Sequence, residues 1–276
     1  LRERSVPEPE ANAELIMAEV LGIGRLQARL DSARVLTGPQ ASRFWSLVLE
    51  RGRRIPLAYL LGHQAFMGLE IKVGREALIP RPETEQVVEE AIGLLAPRAQ
   101  EPLHLLEIGT GSGCIAISLS KAFPHAVVYA TEISSAALRL ALRNAQDHRR
   151  AGRIRFIRED LFKAGGGRGG WADLVISNPP YVPSREIGRL EPELRHEPRL
   201  ALDGGPDGLR AMRAVAPQAM AFLKPGGWVV LEIGARQGES VRRILKSAGF
   251  EDHEIRKDLQ GLDRIALAQA PRQGEI

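Results

Sequence analysis

The sequence predicts an α/β fold: a seven-stranded, mostly parallel sheet covered by helices on both faces, with a small helical domain in front of it. Three observations lead there. From about residue 103, short apolar runs alternate with helix-like segments, as in a parallel sheet buried on both sides. Two more strand candidates sit close together after the last helix, the pattern of an antiparallel hairpin at the sheet edge. Upstream of residue 75, apolar residues instead recur every three or four positions, the period of helices.

Residues 10–50 place Leu15, Ile16, Val20 and Leu21, then Leu26 and Leu30, then Phe44, Leu47 and Val48 at helical spacing. Gly22, Gly24, Gly38 and Pro39 punctuate them, so several short helices packed as a bundle are expected, with a further turn starting at 56–59. The stretch "AFMGLEIKVGREALIP", residues 65–80, alternates and contains Gly68 and Gly74. It reads as a β-hairpin linking two domains, 1–75 and 76–276. A helix resumes in "RPETEQVVEEAIGLLA": Pro82 suits a first turn, acidic residues follow, and Val87, Val88, Ile92 and Leu95 form the apolar face. The strands expected beyond it are 103–108, 127–131, 154–157, 174–177 and 228–233, then 252–257 and 264–270 for the edge pair. Helices are expected at 115–122, 135–147, 208–223 and 239–248, and a flexible loop at 164–170, "AGGGRGG".

Composition narrows the class. The 38 basic against 34 acidic residues leave a net charge of +4, too mild for a nucleic-acid footprint to be read from charge alone. Cys114 is the one cysteine, which excludes an internal disulfide and a cysteine-based zinc site and points to a reducing compartment, with the cytoplasm as the default reading and a processed organellar protein as the alternative. His63, His104, His125, His148, His196 and His253 show no metal-ligand spacing, so no metal is expected. No apolar run approaches the roughly 20 residues that span a bilayer, and the opening "LRERSVPEPEANAEL" lacks a signal-peptide core. Cys114 itself reads as a small packed residue at a helix start.

"LLEIGTGSGCIAISLS" puts Gly109, Thr110, Gly111, Ser112 and Gly113 between a strand and a helix, where glycine lets a ligand approach bare backbone. A dinucleotide fingerprint would need glycine at 114, and the Gly-Lys-Ser/Thr ending of a phosphate loop is absent. The loop therefore suits a ligand without a pyrophosphate. Nineteen residues beyond Gly113, the second strand ends at Glu132, where a carboxylate can accept both hydroxyls of a ribose. The third strand ends near Asp160. The fourth runs into Asn178, Pro179, Pro180 and Tyr181, an amide side chain on a stiff diproline turn beside an aromatic. All four strand ends fall on one rim of the sheet, and a nucleoside-type cofactor is expected there.

The glycine loop resembles motif I of the class I, Rossmann-like methyltransferases that use S-adenosylmethionine. By that resemblance Gly109, Thr110, Gly111, Ser112 and Gly113 hold the methionine portion, Glu132 the ribose, and Asp160 with Leu161 the adenine. The tetrad Asn178, Pro179, Pro180, Tyr181 resembles the [Asn/Asp]-Pro-Pro-[Tyr/Phe] motif of methyltransferases acting on nitrogens conjugated to a π-system. Such a nitrogen is a weak nucleophile. Two acceptors, the Asn178 side-chain oxygen and the Pro179 carbonyl, can grip its N–H groups and favour the charge developing on it. Tyr181 offers the planar substrate group a face to pack on.

The tetrad alone does not separate adenine in DNA or RNA from a protein glutamine. The stretch 54–85, and above all "LIPRPETE" at 78–85, closely resembles the HemK/PrmC family of protein-(glutamine-N5) methyltransferases. So do "EPRLALDGGPDGL" at 197–209, "LEIGARQGESV" at 231–241 and "DLQGLDRIALA" at 258–268. Met67 departs from the aromatic that many relatives carry, which bears on local packing. The resemblance implies that residues 1–75 dock class I peptide chain release factors, with the Gly-Gly-Gln glutamine as acceptor; a monomer is expected, and the lack of a strongly basic, aromatic-laced stripe argues against a stable nucleic-acid partner. The alternative is an N6-adenine methyltransferase; a non-catalytic cofactor-binding protein is a third reading. Arg81 and Glu83 stand near the expected entrance without a catalytic assignment.

Overall fold

Proline and glycine set the limits of the N-terminal helices. The computed structural model of the protein describes residues 1–31, 33–160 and 169–272. Helix α1 (Pro9–Leu21) starts on proline and stops at Gly22, whose φ of 65° lets its N–H turn back onto the helix. α2 (Arg25–Leu30) is short, α3 (Gly38–Gly52) begins after Thr37, whose N–H is met by the Gln40 side chain at 3.0 Å, and α4 (Leu57–Leu61) ends at Gly62.

Strands β1 (His63–Phe66) and β2 (Leu69–Lys72) form the expected hairpin. Met67 and Gly68 both take positive φ, 50° and 68°, the twist a two-residue hairpin turn requires. The Met67 N–H donates to Glu85 at 2.6 Å. Phe66 and Ile71 are fully buried and pack into the main core rather than onto the helical bundle.

Helix α5 (Pro82–Leu95) then leads into the sheet: β3 (His104–Ile108), α6 (Cys114–Ala122), β4 (Val127–Glu132), α7 (Ser135–Asp147), β5 (Ile154–Arg158), β6 (Ala172–Ser177), α8 (Arg210–Phe222), β7 (Leu223–Glu232), α9 (Gly238–Ser247), β8 (His253–Lys257) and β9 (Asp263–Gln269). The strand order is β5-β4-β3-β6-β7-β9-β8, parallel except where β9 pairs with β7 and β8. This is the expected seven-stranded sheet with its antiparallel edge pair. β7 begins five residues before the expected 228, because Leu223 pairs with Ala172 and the Lys-Pro-Gly-Gly run that reads as a turn is carried inside the strand. The expected loop at 164–170 lies outside the described residues as far as 168.

Alternate side chains go to opposite faces. Leu105, Val128, Leu174 and Val230 pack under α5, α6 and α7, while Leu106, Val175, Val229 and Leu231 pack under α8 and α9. Burial of each such side chain contributes roughly 1.5–3 kcal/mol. The chain leaves β3 toward β4 on one side and returns to β6 on the other. Ligands bind at this kind of reversal, outside the carboxyl ends of the strands.

Candidate active site

The loop after β3 folds over the end of β4. The N–H groups of Gly109 and Thr110 both donate to the Thr131 carbonyl, at 3.0 and 2.9 Å. Gly113 has φ 85°, and a Cβ there would stand 3.1 Å from the Cα and Cβ of Ala141 on α7. That position admits only glycine without displacement of the helix.

Glu132, at the end of β4, accepts the Gly111 N–H on Oε2 at 3.0 Å and the Ser134 N–H on Oε1 at 2.9 Å. Each of its oxygens keeps a lone pair for a further donor. Glu107, next to the last residue of β3, is fully buried. Its Oε2 accepts from the Thr110 hydroxyl at 2.6 Å, the Ala116 backbone N–H also favours the charged form, and among the described residues its Oε1 makes no hydrogen bond. Burial, reinforced by the charge of Glu132, pushes this carboxyl up to about 7 against the pull of Thr110.

The tetrad follows β6. Ser177 donates to the Ile108 carbonyl at 2.7 Å, tying the strand's end to β3. Asn178 Nδ2 donates to Thr84 Oγ1 at 2.9 Å; Thr84 donates to Glu232 Oε2 at 2.6 Å; Tyr181 donates to Glu232 Oε1 at 3.1 Å. Gln237 clamps the turn from behind, donating to the Tyr181 carbonyl at 3.0 Å.

A cleft of about 1170 Å³, its open mouth included, runs between these groups. Gly109, Thr110, Gly111, Ser112, Glu132, Asp160, Asn178, Pro179 and Pro180 all line it. Gly113 lies beneath the loop, where it spaces α7 from α6. Leu161 lies outside the described residues. Tyr181 does not line the cleft: its ring packs against the core on the α8–α9 face, and burial together with Glu232 raises its hydroxyl above the usual tyrosine range. The expectation that this ring presents a face to the substrate does not match that placement.

Arg81 and Glu83 are not on the wall either. Arg81 pairs with Glu197, which also accepts the Ile79 N–H at 2.9 Å, so this segment straps the linker to the loop beyond the tetrad. Cys114 lines the cleft, yet burial pushes its thiol up to about 12, which makes it inert.

Three polar residues of the site were not anticipated: Glu107, Thr84 and Glu232. Glu107 and Glu232 carry the one signal available, an acidic residue closing an otherwise apolar strand. Thr84 reads as an ordinary helix-start residue. Among the described residues no group of three or more His, Cys, Asp or Glu could hold a metal ion, and no helix is long and apolar enough to cross a membrane.

Residues 1–62 match a family model described as the PrmC N-terminal domain, and residues 85–193 match one described as the methyltransferase small domain. A release factor glutamine methyltransferase of Geobacter sulfurreducens is 40% identical over 266 residues, 96% of this chain and 91% of its own. Another of that name, from Moorella thermoacetica, is 41% identical over 95% of this chain and 92% of its own. The crystal structure of a methyltransferase from Pyrococcus furiosus has a TM-score of 0.54 at 20% identity, covering 75% of this chain and 91% of its own, a likeness of fold.

Proposed function

The chain belongs to the release factor glutamine methyltransferase family, and we propose that it transfers the methyl group of S-adenosylmethionine to the side-chain nitrogen (N5) of the Gly-Gly-Gln glutamine of class I peptide chain release factors. The observation that carries this reading is the open acceptor of Asn178. Its Nδ2 is committed to Thr84, and among the described residues its Oδ1 receives no hydrogen bond, at the wall of a cleft it shares with the glycine loop and Glu132.

The residues fit the cofactor. The buried, unpartnered Oε1 of Glu107 suits the ammonium of a methionine portion, and the spare lone pairs of Glu132 suit a ribose diol. The backbone of Gly109, Thr110, Gly111 and Ser112 would line the methionine side, with Asp160 toward the adenine. When bound, S-adenosylmethionine supplies an electrophilic methyl on a sulfonium.

The protein's own contribution is orientation. A glutamine amide nitrogen shares its lone pair with the carbonyl and attacks poorly. Asn178 Oδ1 and the Pro179 carbonyl accept its two N–H groups, aim the nitrogen, and favour the positive charge that develops there. Pro179 and Pro180 hold both acceptors in place because each ring fixes φ. Residues 1–75 act as the docking module. Leu26, Leu30, Trp45 and Leu49 leave apolar surface exposed on α2 and α3, which supports a protein partner there. A cytoplasmic monomer is the form proposed.

The experiment offers the purified protein and S-adenosylmethionine an unmethylated class I release factor, duplex DNA and total RNA in parallel, with mass spectrometry locating the methyl. Methyl on the Gly-Gly-Gln glutamine supports the reading. Methyl on adenine alone replaces it with an N6-adenine methyltransferase, and cofactor binding without any transfer replaces it with a non-catalytic binder.

A further inference from the structure

Asn178 can perform this role only with its amide oxygen toward the substrate, and a chain of polar groups running from Thr84 on the cleft lining back to Glu232 decides which end faces forward. Glu232 closes β7 with 1% exposure, accepting Thr84 on one oxygen and Tyr181 on the other. Burial raises the Glu232 carboxyl, while the hydrogen bonds from Thr84 and Tyr181 and the charge of Arg264 pull the other way; with one hydroxyl donor on each oxygen, the carboxylate acts here as an acceptor only. Thr84, 2% exposed, therefore commits its single proton to Glu232 and can only accept from Asn178. Turning the Asn178 amide over would set its oxygen against the oxygen of the buried Thr84 with no proton between them, at the cost of a lost hydrogen bond.

We propose that Thr84 and Glu232 are positioning residues that fix the amide polarity of Asn178 and so determine which atom meets the substrate nitrogen. The inference rests on the reading of Asn178 as the substrate's acceptor. The parts come from three separate elements, the first turn of α5, the end of β7 and the turn after β6. Hydrogen bonds between residues 94 and 148 positions apart join them. A helix-start threonine needs none of this to cap its own helix.

The test compares Thr84→Val, Thr84→Ser, Glu232→Gln, Asn178→Ala and the double variant Thr84→Val/Asn178→Ala. Wild-type glutamine methylation, release-factor KM, cofactor Kd and Tm are measured beside them. Thr84→Val keeps shape and loses the acceptor, so kcat should fall on the order of 100-fold, with KM and cofactor Kd within about threefold. Thr84→Ser keeps the hydroxyl and should restore kcat to within about threefold of wild type. Glu232→Gln can donate to Thr84 and free its proton, so kcat should fall while Tm is retained. In the Asn178→Ala background, Thr84→Val should add no further loss, because its effect runs through Asn178; a merely structural role would lower both backgrounds alike. Wild-type kcat in Thr84→Val, or equal losses in both backgrounds, overturns this inference alone. A wild type that leaves glutamine unmethylated overturns the function reading and this inference with it.

Discussion

Arg51 of α3 and Glu193 of the loop beyond the tetrad, 142 residues apart, form an almost dry ion pair: Nη1 to Oε1 is 2.8 Å, and the side chains are 6% and 14% exposed. Arg54 holds the same carboxylate from the other side, through Nε and Nη2 at 2.7 Å each. Burial alone would raise the Glu193 carboxyl, but the hydrogen bonds from Arg54 and Arg51 outweigh it and hold it at about 2. The helical module is thus tied to the loop that forms part of the cleft's surroundings by two ion pairs that share one carboxylate.

Glu193→Gln should therefore loosen the module without unfolding the sheet. Removing one partner of a buried pair leaves the two guanidiniums uncompensated, at a cost of about 3 kcal/mol. Hydrogen exchange should speed up in α1 and α3 and stay unchanged in β3 and β6. A depressed carboxyl stabilises the fold above its unfolded value of about 4.3 and stops doing so as pH falls through its folded value. The wild-type module should loosen between about pH 4.3 and pH 2, while the glutamine variant shows no such transition from this site. Uniform exchange in variant and wild type would remove the latch.

Asn178→Ala removes the acceptor and leaves the cofactor wall standing. Turnover should fall by about 100-fold to 1000-fold, the loss typical of removing one preorganised charge-stabilising group. Cofactor Kd by calorimetry should stay within about threefold, because Glu132, Glu107 and the glycine loop are untouched. A parallel loss of cofactor binding would mean that Asn178 supports the cleft's shape rather than the reacting nitrogen.

Which features were legible follows from where each interaction is encoded. Strands buried on both faces are continuous apolar runs, so "LLEI" and "DLVIS" reveal β3 and β6 from local sequence. Pairing beyond a strand's apolar part is not local, which is why β7 begins at Leu223 when Trp228 is its first obvious residue. The glycine loop, Glu132 and the tetrad stand out because backbone approach and strand-end position impose residue types. Thr84 carries no such mark, and the strand-end position of Glu232 does not say what it binds: their meaning lies in a 2.6 Å contact between residues 148 apart. Tyr181 shows the converse, since its place in the motif says nothing of the direction in which core packing turns its ring.

Glu107 yields a prediction in which stability and binding move in opposite directions. Its folded carboxyl sits at about 7, above the unfolded value of about 4.3, so its contribution to stability is complete below about 4.3 and is lost as pH rises through 7. At pH 8 the cofactor-free protein holds a buried carboxylate, one of whose oxygens has no hydrogen bond among the described residues. Glu107→Gln removes that charge and should stabilise the cofactor-free protein at pH 8 by about 3 kcal/mol, while making little difference near pH 4. The same change removes the partner proposed for the cofactor's ammonium. Wild-type affinity for S-adenosylmethionine should therefore strengthen from pH 6 to pH 8 as Glu107 ionises, and the variant should bind about tenfold more weakly at pH 8 with a flatter profile. Thermal scans and calorimetry across that range read both effects. A variant that is less stable at pH 8 yet binds as tightly would show that Glu107 supports the fold and has no part in holding the cofactor.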